Sequence, residues 1–248
     1  MTVLAPHDVA IVAQSIARMG ESVFADLECL RAVTVAALTE DPSRRGLGPL
    51  EPLCADLLTR PGQLPVGCGF VAARDALRDA PYWLEWWTVP GNGQASVPSR
   101  LQVVVDPDAD DFRDYTSLPW FAVPMSTGAR HTTGPYVDYL CTDEYALTFS
   151  VPVTAGGAFR GIVGADVFVR HVEQRTLSQI EALPGTVTLV NSQGRVLVSN
   201  DGVTDTGSLV RDVPVAAMWA APDGDVVDQG GAVLYRCGDL PLALLVTR

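Results

Sequence analysis

The chain has 248 residues, 48% of them hydrophobic and 19% charged, an ordinary globular balance with room for one large domain or two small ones. A formal net charge of -12 argues against nucleic-acid phosphate as a partner. All 17 basic side chains are arginine, which excludes a phosphate-loop lysine, a Schiff-base lysine and a lysine general base.

Asp8, just after Pro6, is a suitable N-cap for a helix running to about Leu38. Within it Val9, Val12, Ile16, Met19, Val23, Leu27 and Leu30 alternate steps of three and four, a heptad-like seam. The spacing suits both a homodimer through the long helix and a helix packed along its own domain. Asp41-Pro42-Ser43-Arg44-Arg45-Gly46 breaks the chain, and Leu50 to Leu58 reads as a short second helix closed by Pro61-Gly62. From residue 66 the pattern turns to strands: Val66–Ala72, Tyr82–Val89 (with Trp83, Trp86 and Trp87) and Leu101–Val105. An acidic loop from Asp106 to Asp111 follows, then strands Tyr136–Tyr139, Ala146–Val153 and Phe159–Val167. Thr154-Ala155-Gly156-Gly157 is a hairpin turn between the last two. A helix from about Arg170 to Leu183 leads into a smaller antiparallel unit with hairpins over Val187–Ser199 and Ala232–Thr247.

These elements predict an α+β fold: a long N-terminal helix on a central antiparallel sheet, then a second, smaller antiparallel lobe. The boundaries read as 1–45 for the long helix, 46–170 for the central lobe and 171–248 for the linking helix and second lobe. There is no alternating βαβ pattern and no G-x-G-x-x-G, which excludes a Rossmann site.

Few residues suggest catalysis. The three histidines, His7, His131 and His171, form no HExxH or HxH, and no G-x-S-x-G is present. Cys141 and His131 lie ten residues apart, but nothing specifies a base held within reach of a nucleophile. The acidic pairs Asp110-Asp111 and Asp143-Glu144 lie in loops and read as solvated. The expectation is a protein that is not an enzyme and uses no cofactor or metal. Cys29, Cys54, Cys68, Cys141 and Cys237 show no CxxC or Cys/His ligand spacing and read as buried free thiols suited to a reducing compartment. No secretory signal pattern opens the sequence, and no apolar run reaches the roughly 18 residues of a membrane span. A cytoplasmic location without membrane contact is therefore expected.

The stretch from Asp111 to Asp166 is the informative one. It gathers Tyr115, Trp120, Phe121 and Tyr136 with two strand-borne acids, Asp138 and Asp166. Tyr136 and Asp138, two apart on one strand, share a face. Asp166 interrupts an apolar strand, where an ionised carboxylate is costly unless partnered. Aromatic walls with desolvated carboxylates suit an organic ammonium, through cation–π attraction and charge-assisted hydrogen bonds. The same residues also fit a helix cap at Asp166 and a backbone-bonded turn at Asp138.

The order of these motifs resembles the Cache family, the PAS-like ligand-binding domains of bacterial receptors, in its double Cache form. Pro119-Trp120-Phe121 resembles that family's pocket helix, Gly134-Pro135-Tyr136-Val137-Asp138 its Tyr-x-Asp strand, and Phe149 to Val153 followed by Gly161 to Asp166 its closing hairpin. Leu189 to Leu197 resembles the start of the second lobe. The resemblance implies that Tyr136, Asp138 and Asp166 hold a ligand's ammonium. In the amino-acid-binding branch an arginine and a tyrosine clamp the ligand carboxylate; here Leu118 and Arg113 stand at those places and Phe121 replaces a tyrosine. The expected ligand is thus a small amine or amino-acid-like molecule, and the expected role a stand-alone cytoplasmic sensor passing its state to a regulator protein. A carrier without a signalling role and an enzyme reusing the pocket are the alternatives.

Overall fold

A computed structural model describes residues 6–89, 97–137, 144–221, 226–229 and 231–247. The chain has the α+β architecture expected, with a long helix and two antiparallel sheets. Two compact units emerge: one from residues 1–22, 134–147 and 168–248, the other from residues 23–133 and 148–167.

Helix α1 runs Pro6–Glu40, with Asp8 in its first turn and Pro42 two residues past its end. A residue before proline is steered out of the helical region, which ends the helix there. Val9, Val12, Ile16, Val23, Leu27 and Leu30 are all buried and Met19 is half-buried. The seam is therefore spent inside the chain's own fold rather than left open for a second copy, and each such side chain contributes about 1.5–3 kcal/mol. The polar Thr34 is buried on the same helix and donates back to the Leu30 carbonyl at 2.8 Å.

In the unit that contains residues 23–133, helix α2 (Leu50–Thr59) buries Leu50, Cys54, Leu57 and Leu58, spacings that lie on one helical face. It packs on strands β1 (Gly67–Ala72) and β2 (Leu84–Thr88). Sheet one has the order β3-β2-β1-β6-β5-β4, with β3 at Ser99–Arg100, β4 at His131–Val137, β5 at Tyr145–Ala155 and β6 at Ala158–Phe168. Helix α3 (Pro119–Thr127) precedes β4, with proline in its first turn where a missing N–H costs nothing. Gly69 is required by close packing: a Cβ there would sit 2.1 Å from the Glu85 carbonyl oxygen.

The expected strand over Leu101–Val105 does not form. After the two-residue β3, the Leu101 amide still bonds the Trp86 carbonyl at 2.8 Å, but the following residues have no regular partner. Leu101 and Val105 instead pack against an aromatic cluster, while Val103 and Val104 are exposed. Strand Tyr82–Val89 shortens to Leu84–Thr88, because Pro81 and Tyr82 form a bend. The strand expected at Tyr136–Tyr139 begins earlier, at His131, and its residues 138–139 lie outside those described.

In the other unit, sheet two has the order β8-β7-β11-β10-β9, formed by Thr186–Asn191 (β7), Val196–Ser199 (β8), Val226–Gln229 (β9), Ala232–Arg236 (β10) and Leu242–Thr247 (β11). Its core joins Val190, Val196, Leu234, Ala243 and Leu245 with Val215 and Met218 of the short helix α5 (Val215–Trp219). Helix α4 (Val169–Glu181) packs on β7 and β8. The Asn191 side chain fixes the β7–β8 turn, accepting from the amides of Gln193 and Arg195 at 3.0 and 2.8 Å.

Candidate ligand-binding site

Strand alternation decides what faces what on sheet one. Asp166 pairs across the ladder with Gly67, Gly164 with Gly69 and Ile162 with Val71; these partners in turn oppose Thr88, Trp86 and Leu84. Directly opposed residues of antiparallel strands project from the same face. Val71, Trp86 and Ile162 join the aromatic cluster with Tyr82, Tyr115 and Phe121, so Asp166 belongs to the aromatic face of the sheet.

That face carries a lane of three glycines. A Cβ at Gly164 would meet Trp86 Cη2 at 3.2 Å, and one at Gly67 would meet Trp86 Nε1 at 2.8 Å. The indole therefore lies across the glycine lane and ends beside Gly67, the ladder partner of Asp166. Asp166 itself is half-buried, and its Oδ1 accepts a hydrogen bond from the Thr148 hydroxyl of β5 at 2.6 Å. A donor this short orients the carboxylate and offsets part of its desolvation.

The aromatic residues divide by role. The Tyr115 hydroxyl donates to the Ala72 carbonyl at 2.7 Å and accepts from the Trp83 amide at 3.1 Å, so it clips the ends of β1 and β2 together. Burial pushes this phenol well above its ordinary pKa, keeping it neutral. Its ring stacks on Trp120, with centroids 6.3 Å apart, and leans on Phe121 at 5.6 Å. Phe121 is fully buried and meets Phe159 edge-on at 5.6 Å, whereas Trp120 is half-buried. Tyr115 and Phe121 thus form the backing of an aromatic wall, and Trp120 is its more accessible member.

Arg113 is exposed, and its guanidinium donates to the neighbouring Phe112 carbonyl at 3.0 Å. Leu118, at the N-terminal cap of α3, is 36% exposed. Tyr136 is half-buried on β4, and Asp138 lies outside the described residues, as does Cys141. His131 is half-buried, and its imidazole is shifted toward the neutral form by burial. Trp86 and Thr148 lie beside Asp166 on this face and were not among the candidate residues expected from the sequence. Both sit on strands that were expected, but their side of the sheet is set by pairing register.

No family model matches the sequence. Solved structures do resemble it over nearly its whole length. Methyl-accepting chemotaxis protein X superposes with a TM-score of 0.68 at 15% identity, covering 97% of this chain and 95% of that one. The extracellular domain of the histidine kinase candidate mmHK1S-Z3 gives 0.64 at 17% identity, covering 96% and 93%. The ligand-binding domain of Campylobacter jejuni chemoreceptor Tlp3, in complex with L-valine, gives 0.61 at 13% identity, covering 97% and 90%. The chain shares its fold with these three proteins, in line with the resemblance drawn from the sequence. Of the residues singled out from the sequence, Tyr115, Trp120 and Phe121 belong to the aromatic cluster of sheet one, whereas Arg113 and Leu118 are exposed. Among the described residues no cluster of His, Cys, Asp or Glu could hold a metal, and no helix is long and apolar enough to cross a membrane.

Proposed function

We propose that this chain is a ligand-binding sensor module whose site receives a small organic ammonium on the aromatic face of sheet one. The observation that carries the reading is Asp166: a carboxylate within the apolar run 161–168 of β6, oriented by Thr148 and facing the aromatic side. A carboxylate held on that face can offer charge-assisted hydrogen bonds to a bound ammonium. Trp86 and Trp120 supply aromatic surface of the kind that attracts a desolvated ammonium. The resemblance to the Cache family's Tyr-x-Asp strand adds Tyr136 and Asp138 as further candidate contacts for the cation.

An amine fits better than an amino acid. The residues at the carboxylate-clamp positions are an exposed leucine and an arginine whose guanidinium is engaged by its own loop. Tlp3 binds L-valine on a similar fold, so L-valine is the informative counter-probe. A panel of primary alkylamines raises the melting temperature of the wild type, by about 2.7 kcal/mol of stability at one hundred times Kd. Asp166→Ala abolishes the rise. Stabilisation by L-valine and other free amino acids, but by no simple amine, overturns the assignment.

The proposed role is to pass ligand state to a regulator protein through the long helix. Such a module responds only if the ligand binds two conformations differently, so a partner must be captured in a ligand-dependent manner. A cytoplasmic site of action is part of the proposal, supported by the unpaired thiols of Cys29, Cys54, Cys68 and Cys237. Thiol trapping in intact cells tests it: labelling of Cys29 only by a membrane-permeant reagent supports the cytoplasm, and labelling by an impermeant one contradicts it.

A further inference from the structure

Beside Asp166 the same face carries a polar group that the proposed ammonium site does not use. Ser150 on β5 is 0% exposed, and its hydroxyl has no hydrogen-bond partner. Its direction follows from its neighbours. Phe149 meets Phe24 of α1 edge-on at 5.2 Å, and so points away from the aromatic face. Thr148 points to that face, where it bonds Asp166. Ser150, two residues after Thr148, shares its side of the strand. On the adjacent strand β6, Gly164 contributes no side chain to that face, and the Trp86 indole lies over it. On β4, the other neighbour of β5, the hydroxyls of Thr132 and Thr133 are also buried without partners. These two are consecutive on their strand, so alternation turns one of them toward the face of Ser150.

Buried hydroxyls are almost always paired, so an orphan on the face of a candidate site is a hydrogen bond that a ligand can complete. We propose that Ser150 is a specificity-determining contact: its hydroxyl bonds a second polar group of an amine ligand, making a hydroxy- or amido-amine the preferred class. This rests on the reading that the face bearing Asp166 receives the ligand. Two residues along a strand span about 7 Å, so the second group lies roughly that far from the ammonium. A serine hydroxyl both donates and accepts, which admits a hydroxyl, an amide or a carboxylate there.

Calorimetric titration of the full chain with 4-aminobutan-1-ol and with pentylamine, equal in size and differing in the terminal hydroxyl, tests this. The wild type is expected to prefer the amino alcohol by about tenfold, the worth of one buried hydrogen bond that is otherwise lost. Ser150→Ala is expected to bring the ratio to about one. Equal affinities in the wild type, or an unchanged preference in Ser150→Ala, overturn the proposal while leaving the ammonium site standing. Failure of both amines to bind the wild type, or binding untouched by Asp166→Ala, overturns the parent reading and this one with it. Should Ser150→Ala not fold, the wild-type ratio and the near-isosteric Ser150→Cys carry the same test.

Discussion

Replacing Thr148 by valine removes the hydroxyl that donates to Asp166 at 2.6 Å while nearly preserving shape. Thr148 is only 3% exposed, so water cannot readily take the place of the lost donor. A hydrogen bond to a charged group contributes about 1.5–3 kcal/mol, and the half-buried position of Asp166 places the expected value toward the lower end. The single variant mixes this loss with the better packing and strand preference of valine, so a double-mutant cycle with Asp166→Asn is needed. Urea unfolding of the wild type, both single variants and the double variant should return a coupling of about 1.5 kcal/mol at unchanged m-value. A coupling below about 0.5 kcal/mol would mean that Thr148 does not hold the carboxylate, and the argument for an oriented acid would fail. In amine titrations, Thr148→Val should weaken binding less than Asp166→Asn, since it removes the orientation of the charge but not the charge.

Tyr115→Phe removes the clip between the Ala72 carbonyl and the Trp83 amide, and should cost about 1–3 kcal/mol in denaturant unfolding with amine affinity nearly unchanged; a large loss of affinity without loss of stability would make the phenol a ligand contact instead. Maleimide labelling of the native chain should modify exposed Cys29 but reach Cys54, Cys68 and Cys237 only after unfolding, because all three are buried. Hydrogen bonding to Cys54 and burial hold the Cys68 thiol well above its ordinary pKa, and burial pushes that of Cys237 up to about 12. Glu85, buried between Trp83 and Arg100, has its pKa raised above the ordinary value mainly by desolvation. Its stabilising contribution is therefore full below the unfolded value and lost as pH rises through the folded one. Glu85→Gln should gain stability relative to wild type over that rise, and a flat difference between the two would contradict the direction of the shift.

Sequence patterning reached the strands that bury both faces or end in unmistakable turns. The β5–β6 hairpin was legible because Gly156 and Gly157 supply the positive φ values, 63° and 77°, that its tight turn needs. The Leu101–Val105 run has the composition of a strand without a partner to pair with, and composition alone does not reveal that. Helix α3 was legible only through the resemblance to a pocket helix, because Pro119 at its start and Pro124 within it give no helical signal of their own. Helix α5 and β9 are too short for a periodic signal.

At the site, alternation exposed the anomaly of Asp166 but not its partner. Which of Trp86 and Trp87 lies on the aromatic side depends on the pairing of Gly69 with Trp86, a register that the alternation of neither strand sets by itself. The roles of Tyr115 and Phe121 changed for a similar reason. An aromatic cluster is visible as composition, whereas its division into backing and surface appears only with burial.

Heteronuclear NMR of the indole N–H groups tests the central claim most directly. The chain has five tryptophans, and Trp86→Phe assigns the resonance that matters. On titration with a primary alkylamine, the Trp86 N–H should shift saturably in the wild type and stay still in Asp166→Asn. Saturable binding that moves other indoles but leaves Trp86 unchanged would contradict a cation site on the aromatic face of sheet one.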